Sequence, residues 1–477
     1  MRLPEEFINR MKDELSSSGI SEDGFFESFD ATPMKGIRIN KQKVRSDGYK
    51  DVMEHLCPGE ETEAVPWCDC GFYTSSESSG NSPYYHAGVI YPQEPSAMLP
   101  GQTIGAKPGN VVIDLCAAPG GKACRIAEEL KGEGVLIANE ISSNRAKALL
   151  RNIERMGIPN AVVLNEDPIN MRKYLAGIAD RIIVDAPCSG EGMFRRDPSA
   201  VKSWERYGPV PCSELQDSIL ESAHIMLKPG GEIVYSTCTY GVLEDEDRIV
   251  NFMNNHPGYE VVPHPEILGV THAPEGSKLP GSMRIWPHIS EGDGHFCVHL
   301  RKLSGEEGEE AHELPSFTVK KRGKNVRETD AVLSFMKDIL NDDAYEKIKT
   351  RVGDALLIRG EHAMLPACDE KALGSLTVVK NGLYLGEFKA KGRDFVLVPS
   401  NSLALTLRRE DIKDSAVISY AYDAPELIRY LKGETLTTEP GAKGYVVITV
   451  DGHPLGFGKR SADGMIKNLY PKSWRLL

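Results

Sequence analysis

Between Val111 and Tyr240 short apolar runs alternate with helical stretches, and each run breaks off at or just before a charged, polar or sulfur-bearing residue. Val111 to Leu115 lead into the small-residue loop Cys116-Ala-Ala-Pro-Gly-Gly-Lys122, and Val135 to Ala138 lead into Asn139-Glu140. Val162 to Leu164 stop short of Asp167, Ile182 to Val184 end in Asp185-Ala-Pro-Cys188, and Glu232 to Tyr235 end in Ser236-Thr-Cys238-Thr-Tyr240. Unbroken apolar runs of this length, spaced by helices, suit strands covered on both faces of a parallel sheet. The sequence therefore predicts an α/β fold, and ligands of such sheets sit at the carboxyl ends of the strands. That places the breaks, not the runs, at the centre of the chemistry.

Besides the Cys116 loop, two breaks carry thiols. Pro187 removes a backbone donor and pushes Ala186 into extended geometry, so the turn before Cys188 is stiff. A free cysteine is usually a small buried hydrophobe. A second cysteine, Cys238, at the end of another strand makes that ordinary explanation less comfortable, because neighbouring strands would bring both thiols to one sheet edge. Glycines at the Cys116–Lys122 loop let backbone N–H groups approach a ligand at the start of the helix that follows. Glu140 lies about twenty residues on, the separation at which an acidic side chain meets a ribose hydroxyl in dinucleotide folds. A nucleoside-containing cofactor is thus indicated, while the missing G-x-G-x-x-G spacing weakens a nicotinamide reading. Asp167 is placed either to hold a purine's exocyclic amine or simply to begin the next helix.

The remaining chain is less informative. At 477 residues it has room for two to four domains. Its 69 acidic residues against 56 basic ones, a net charge of -13, argue against wholesale coating of nucleic acid or anionic membrane but say nothing of local patches. Ten cysteines in so long a chain do not form a disulfide framework, and with no apolar leader and no run of 18 apolar residues a cytoplasmic protein with no membrane span is expected. Leu3, Phe7, Met11 and Leu15 recur at helical spacing, as in an amphipathic helix with its stripe in a core. Gly36 to Lys41 alternate like a half-buried strand, with Arg38, Asn40 and Lys41 either merely solvated or set to contact phosphates. Cys68-Asp-Cys70 has no second cysteine pair nearby to complete four zinc ligands, so no metal is expected. His288 and His295 are not spaced as metal ligands either and are expected in core or substrate-shaping roles. A helix is expected from about Glu214 to Leu227, and strands over Thr377 to Phe388 and Phe395 to Arg408. Glu306 to Glu313 read as an acidic linker, Lys320 to Arg327 as the densest positive run, and Lys459, Arg460, Lys467, Lys472 and Arg475 as the basic side of a small β-rich terminal module.

The segments DLCAAPGGKA, VDAPCSGEGMFRRDP and STCTY, supported by QEPSAM, RIWPH and the terminal IKNLYPKSWR, resemble the bacterial RNA cytosine-5 methyltransferases over nearly the whole chain. The likeness is greatest to the branch acting on 16S ribosomal RNA, which ends in a domain similar to the PUA RNA-binding module. Thr239 stands where many relatives have serine, and Cys124 where threonine is common; neither departure touches an essential group. The resemblance implies a Rossmann-like S-adenosylmethionine-dependent methyltransferase core at 99–303, an N-terminal α+β RNA-binding domain at 1–98, an acidic linker at 304–314, an intermediate domain at 315–410 and a β-rich PUA-like domain at 411–477. It implies that Cys116, Ala117, Ala118, Pro119, Gly120, Gly121, Lys122, Glu140, Asp167 and Asp185 bind S-adenosylmethionine. By the same token Cys238 matches the nucleophile and Cys188 the second cysteine, which helps to release product. The expected partner is ribosomal RNA or the small ribosomal subunit, and the chain is expected to act as a monomer.

Organic chemistry gives the two thiols a rationale of its own. Carbon 5 of cytosine is too electron-poor to take a methyl group unaided, so a nucleophile must first add to carbon 6. Asp185 would favour that addition by hydrogen bonding the ring edge. A base must afterwards remove the proton from carbon 5, and the target base must be unpaired or flipped out to be reached. The rival readings are a tRNA cytosine-5 methyltransferase, a non-catalytic RNA-binding assembly factor and a methyltransferase of small molecules or proteins. A nicotinamide dehydrogenase is the most remote of them.

Overall fold

The computed structural model describes residues 2–76, 79–304 and 325–476. The expected acidic linker and basic run therefore lie, but for Ser304 and Asn325 to Arg327, outside the described residues. The centre of the molecule is a ten-stranded sheet. Its parallel heart runs, in spatial order, Leu227–Thr237, Ala179–Asp185, Val111–Asp114, Val135–Asn139 and Ala161–Leu164. The strand His295–Lys302 adds on antiparallel beside Leu227–Thr237, and Val378–Asn381, from far along the chain, closes the opposite edge against Ala161–Leu164. Alternate residues face two separate apolar layers: Ile113, Ile137, Ile182 and Ile233 on one side, Val112, Leu136, Ile183 and Val234 on the other. All eight are fully buried, which is why these strands read as continuous apolar runs rather than as alternations.

The amphipathic start of the chain forms the helix Glu5–Ser17, and Phe7, Met11 and Leu15 are fully buried as the spacing requires. They enter an aromatic cluster with Phe25, Phe29, Phe194, Trp204, Tyr240 and Trp286. Phe194 follows Cys188, and Tyr240 follows Cys238, so this cluster underlies both thiol-bearing loops. The Phe7–Phe194 and Phe25–Tyr240 rings meet edge to face at 5.3 and 5.4 Å. Such pairs contribute about 0.5–1.5 kcal/mol each beyond their buried area.

A three-stranded sheet, with Lys35–Ile39 between Gly71–Thr74 and Ile90–Pro92, completes the N-terminal part. Here the expectation for Arg38, Asn40 and Lys41 fails. Arg38 is fully buried, donating to Glu128 Oε1 at 2.5 Å, to the Gly121 carbonyl at 3.0 Å and to Gln93 Oε1 at 3.2 Å. Asn40 donates to the carbonyls of Gly88 and Met156, and Lys41 pairs with Asp69 and Glu129. Arg38 and Lys41 tie this segment to the helix Gly121–Leu130, Asn40 is buried against the Gly88 and Met156 carbonyls, and Lys41, though partly exposed, is paired with two carboxylates. Cys68, Asp69 and Cys70 bring three ligand atoms within 4.8 Å of one another, yet the Asp69 carboxylate is already committed to Lys41 and Arg125.

Two further sheets follow: four antiparallel strands from Leu357 to Pro399, then five from Val417 to Asn468. The strand expected over Phe395 to Arg408 stops at Pro399; Ser400 caps a short helix, Asn401–Thr406, by accepting from the Leu403 N–H at 3.0 Å. Proline followed by a capping serine is a helix start, and the apolar Leu403-Ala-Leu405 packs as readily in a helix as in a strand. The long helix begins at Val210 rather than Glu214, because Pro211 is compatible with a first turn. No helix among the described residues is long and apolar enough to cross a membrane.

Candidate active site

Asp185 pairs in parallel register with Ser236, so the chain leaves two adjacent strands at the same level. Three residues beyond the first stands Cys188 and two beyond the second Cys238. Their sulfurs are 3.3 Å apart, both half-buried. The expectation that neighbouring strands carry the two thiols to one edge is met, and the distance is hydrogen-bonding contact. The hydrogen bond to Cys238 first, then burial, push the Cys188 thiol well up.

Asp185 lies at the centre of the charged part of the site. Lys122 Nζ donates to its Oδ2 at 2.8 Å, Ser236 Oγ to its Oδ1 at 2.8 Å, and His295 Nε2 lies 3.5 Å from Oδ1. Burial alone would raise this carboxyl; the Lys122 ammonium and then His295 override it and hold it far below the usual carboxylate range. Burial pulls Lys122 down in turn, but Asp185 and next Cys238 more than offset that and keep it charged. His295 is buried in the core beside Asp185, whereas His288 bonds the Ser21 carbonyl outside the site.

A second network holds the loops. Glu244, fully buried, accepts from the Ser189 N–H at 2.8 Å, from Ser189 Oγ at 2.5 Å and from Gln216 Nε2 at 3.1 Å. Ser189 Oγ in turn contacts Thr239 Oγ1 at 3.1 Å. The residues next to each thiol are therefore tied to one another.

The loop from Cys116 to Lys122 runs from the end of Val111–Asp114 into the helix Gly121–Leu130. Gly120 has φ of +119°, in the region that favours glycine, and this turn lets the helix start directly beneath the loop. Its carbonyls are tied from outside, that of Ala118 by Arg145 and that of Pro119 by Asn152, while Ala117, Ala118 and Gly121 are buried. Glu140 is 1 % exposed and accepts from the Ser142 N–H through Oε1, while its Oε2 has no hydrogen-bond partner and lies 3.3 Å from Arg145. Asp167 does begin a helix, capping Pro168–Leu175 by accepting from the Ile169 N–H at 2.9 Å.

One residue of this cradle escaped the sequence. Asp114 is 1 % exposed and neither of its carboxylate oxygens makes a well-formed hydrogen bond among the described residues, the Cys116 backbone and the Lys122 charge being its nearest support. Burial first, then the neighbouring Asp185 charge, push its carboxyl up to about 8. A carboxylate closing an apolar run was the signal that singled out Asp185, and Asp114 shows the same one. A buried acid without a side-chain partner, a Glu140 oxygen with no hydrogen bond and a glycine-lined loop suit a cationic, hydroxyl-bearing nucleoside, so these residues fit S-adenosylmethionine.

Asp114 makes a testable demand. Its folded-state value lies above the unfolded one, so its contribution to stability is intact below about pH 4 and is lost as pH rises toward about 8. Asp114→Asn should therefore raise the melting temperature of the cofactor-free protein by about a few degrees at pH 8 and hardly at all at pH 4. It should also weaken S-adenosylmethionine binding about tenfold or more, measured by calorimetry. An unchanged pH dependence of melting would show that the carboxyl is not strained.

Comparison with known proteins gives the family. Residues 102–301 match the family described as 16S rRNA methyltransferase RsmB/F. Residues 3–95 match the N-terminal domain of 16S rRNA methyltransferase RsmF, and residues 418–476 the methyltransferase RsmF PUA domain. The ribosomal RNA small subunit methyltransferase F of Vibrio vulnificus (strain YJ016) is 30% identical over 98% of this chain and 97% of its own. The protein of the same name from Shewanella sp. (strain W3-18-1) is 29% identical over 98% and 96%. Among solved structures, a methyltransferase homolog protein from Pyrococcus horikoshii aligns with 61% of this chain and 98% of its own at 28% identity and a TM-score of 0.51. The NSun6 protein of the same organism, determined with SFG, shares the fold at 21% identity and a TM-score of 0.51, over 63% and 97%.

Proposed function

Because this chain belongs to the ribosomal RNA small subunit methyltransferase F family, we propose that it methylates carbon 5 of cytosine in small-subunit ribosomal RNA through a transient Cys238 adduct. The observation that carries the mechanism is the pair of sulfurs 3.3 Å apart beside an ionised Asp185. S-adenosylmethionine, held by Cys116 to Lys122, Glu140 and Asp167 with Asp114 and Asp185, supplies when bound the electrophilic methyl group.

In this mechanism the Cys188 S–H donates to Cys238, and Cys238, as thiolate, is the nucleophile. Its addition to carbon 6 forms the S–C6 bond and moves the ring's electron pair onto carbon 5. Ionised Asp185, fixed by Lys122 and Ser236, accepts from the exocyclic amine of the ring and holds the base in place for that addition. Once Cys238 is bonded to carbon, the hydrogen bond that did most to hold Cys188 up is gone. Cys188 then gives its proton to solvent and, as thiolate, takes the one on carbon 5; that C–H electron pair restores the ring double bond and expels Cys238 as thiolate. Cys188 again carries the proton, Cys238 again accepts from it, and one proton has been released per methyl group.

RNA binding is supported by the terminal five-stranded sheet, where Lys443, Lys459, Arg460 and Lys467 line one cavity of about 670 Å³. Four cations around one cleft suit a phosphate backbone in spite of the chain's negative total. We place the enzyme's action in the cytoplasm, on ribosomal RNA.

The test is direct. With S-adenosylmethionine labelled in its methyl group and small-subunit ribosomal RNA, the label should be recovered, after digestion to nucleosides, as 5-methylcytidine. Label on an exocyclic nitrogen or a ribose oxygen would overturn the proposal, since neither product needs a thiol.

A further inference from the structure

Glu191 belongs to the loop after Cys188, and its side chain is fully buried. Its Oε1 accepts from Arg10 Nη2 at 2.5 Å and from Trp204 Nε1 at 2.9 Å; its Oε2 accepts from the Tyr240 N–H at 3.0 Å. The neighbouring Gly192 N–H donates to the Cys238 carbonyl at 2.8 Å. A carboxylate with no access to water is costly unless every lone pair is answered and its charge is paired. Here three donors answer it, and among the described residues Arg10 is the cation that pairs with it.

These contacts connect three separated pieces of chain. The Glu191 backbone belongs to the Cys188 loop, Tyr240 to the Cys238 loop and Arg10 to the N-terminal helix. Two hydrogen bonds, one from each of two consecutive residues, fasten the Cys238 segment to the Cys188 segment from behind. The guanidinium lies so close over Gly241 that a Cβ there would come within 2.0 Å of Arg10 Nη1.

We propose that Glu191 is a positioning residue for both thiols, with Arg10 as its counter-ion, so that the N-terminal helix is part of the catalytic apparatus as well as of the core. The inference rests on the thiol chemistry proposed above. Glu191 touches neither sulfur; it fixes the separation of the two segments that carry them. Misplacement of reacting groups by about 1 Å costs about a hundredfold in rate.

Glu191→Gln keeps the volume but turns an N–H₂ group toward donors that now meet a carboxylate. It should lower kcat about 10- to 100-fold while leaving KM for RNA and the affinity for S-adenosylmethionine within about threefold. The rate of forming a denaturation-resistant adduct with RNA containing 5-fluorocytosine should fall in parallel. Arg10→Gln, at the more exposed end of the pair, should show the same pattern more weakly, with Arg10→Lys recovering part of it, and decides the matter should Glu191→Gln fail to fold. Unaltered kcat and adduct rates in these variants would overturn the inference, as would a change confined to KM in Arg10→Gln, which would make the helix an RNA contact instead. If the unaltered enzyme forms no adduct, the thiol chemistry itself falls, and this inference with it.

Discussion

Replacing Cys238 by alanine will reduce methyl transfer at least about a thousandfold while S-adenosylmethionine still binds within about twofold of its usual affinity. The split follows from the layout. Most residues of the proposed cofactor cradle follow Val111–Asp114 and Val135–Asn139, whereas Cys238 stands beyond the end of Leu227–Thr237, with the Asp185 strand between them. Cys188 does not replace it, because its sulfur enters the edge from the neighbouring loop, 3.3 Å from that of Cys238, and a displaced nucleophile does not reproduce the line of attack on carbon 6. Methyl incorporation into RNA and calorimetric cofactor binding, measured on the same preparation, check both halves. Turnover within tenfold of the unaltered enzyme would remove Cys238 from the chemistry.

Cys188→Ala should give the opposite picture, an enzyme that starts the reaction and does not finish it. Addition at carbon 6 needs only Cys238 and the Asp185–Lys122 pair, both intact in this variant. Without a base near carbon 5 the methylated adduct persists, and the RNA should travel with the protein on a denaturing gel even when its cytosines carry no trapping substituent. The double variant Cys188→Ala, Cys238→Ala should lose that band. A Cys188→Ala enzyme that turns over normally and leaves no linked RNA would show that water alone suffices as base.

The sequence made these thiols visible for a simple reason. A parallel strand covered on both faces is apolar throughout, so the point where Ile182-Ile-Val184 gives way to Asp185 marks the sheet edge without ambiguity. The same rule would have found Asp114. What it cannot supply is register: that Asp185 lies opposite Ser236, and so Cys188 against Cys238, depends on pairing between strands about fifty residues apart. Arg38 shows the opposite failure. Alternation announces that one face of a strand is polar, but water and the flank of another helix demand the same residue types, and only packing reveals that Glu128 waits on the far side. Glu191 and Arg10 lie beyond pattern altogether, since an ion pair between a helix at the start of the chain and a loop 181 residues later leaves no local mark.

The strand Val378–Asn381 has a consequence for how the protein is made. It covers the Ala161–Leu164 edge of the central sheet, yet it leaves the ribosome about 200 residues later, roughly 10 to 40 seconds at ordinary rates of synthesis. Through that interval the nascent chain presents Ala161-Val-Val-Leu164, an apolar segment with one row of backbone groups open, the kind of edge on which strangers assemble. A newborn chain of this protein is thus a natural client for chaperones until its own late segment arrives to shut the sheet.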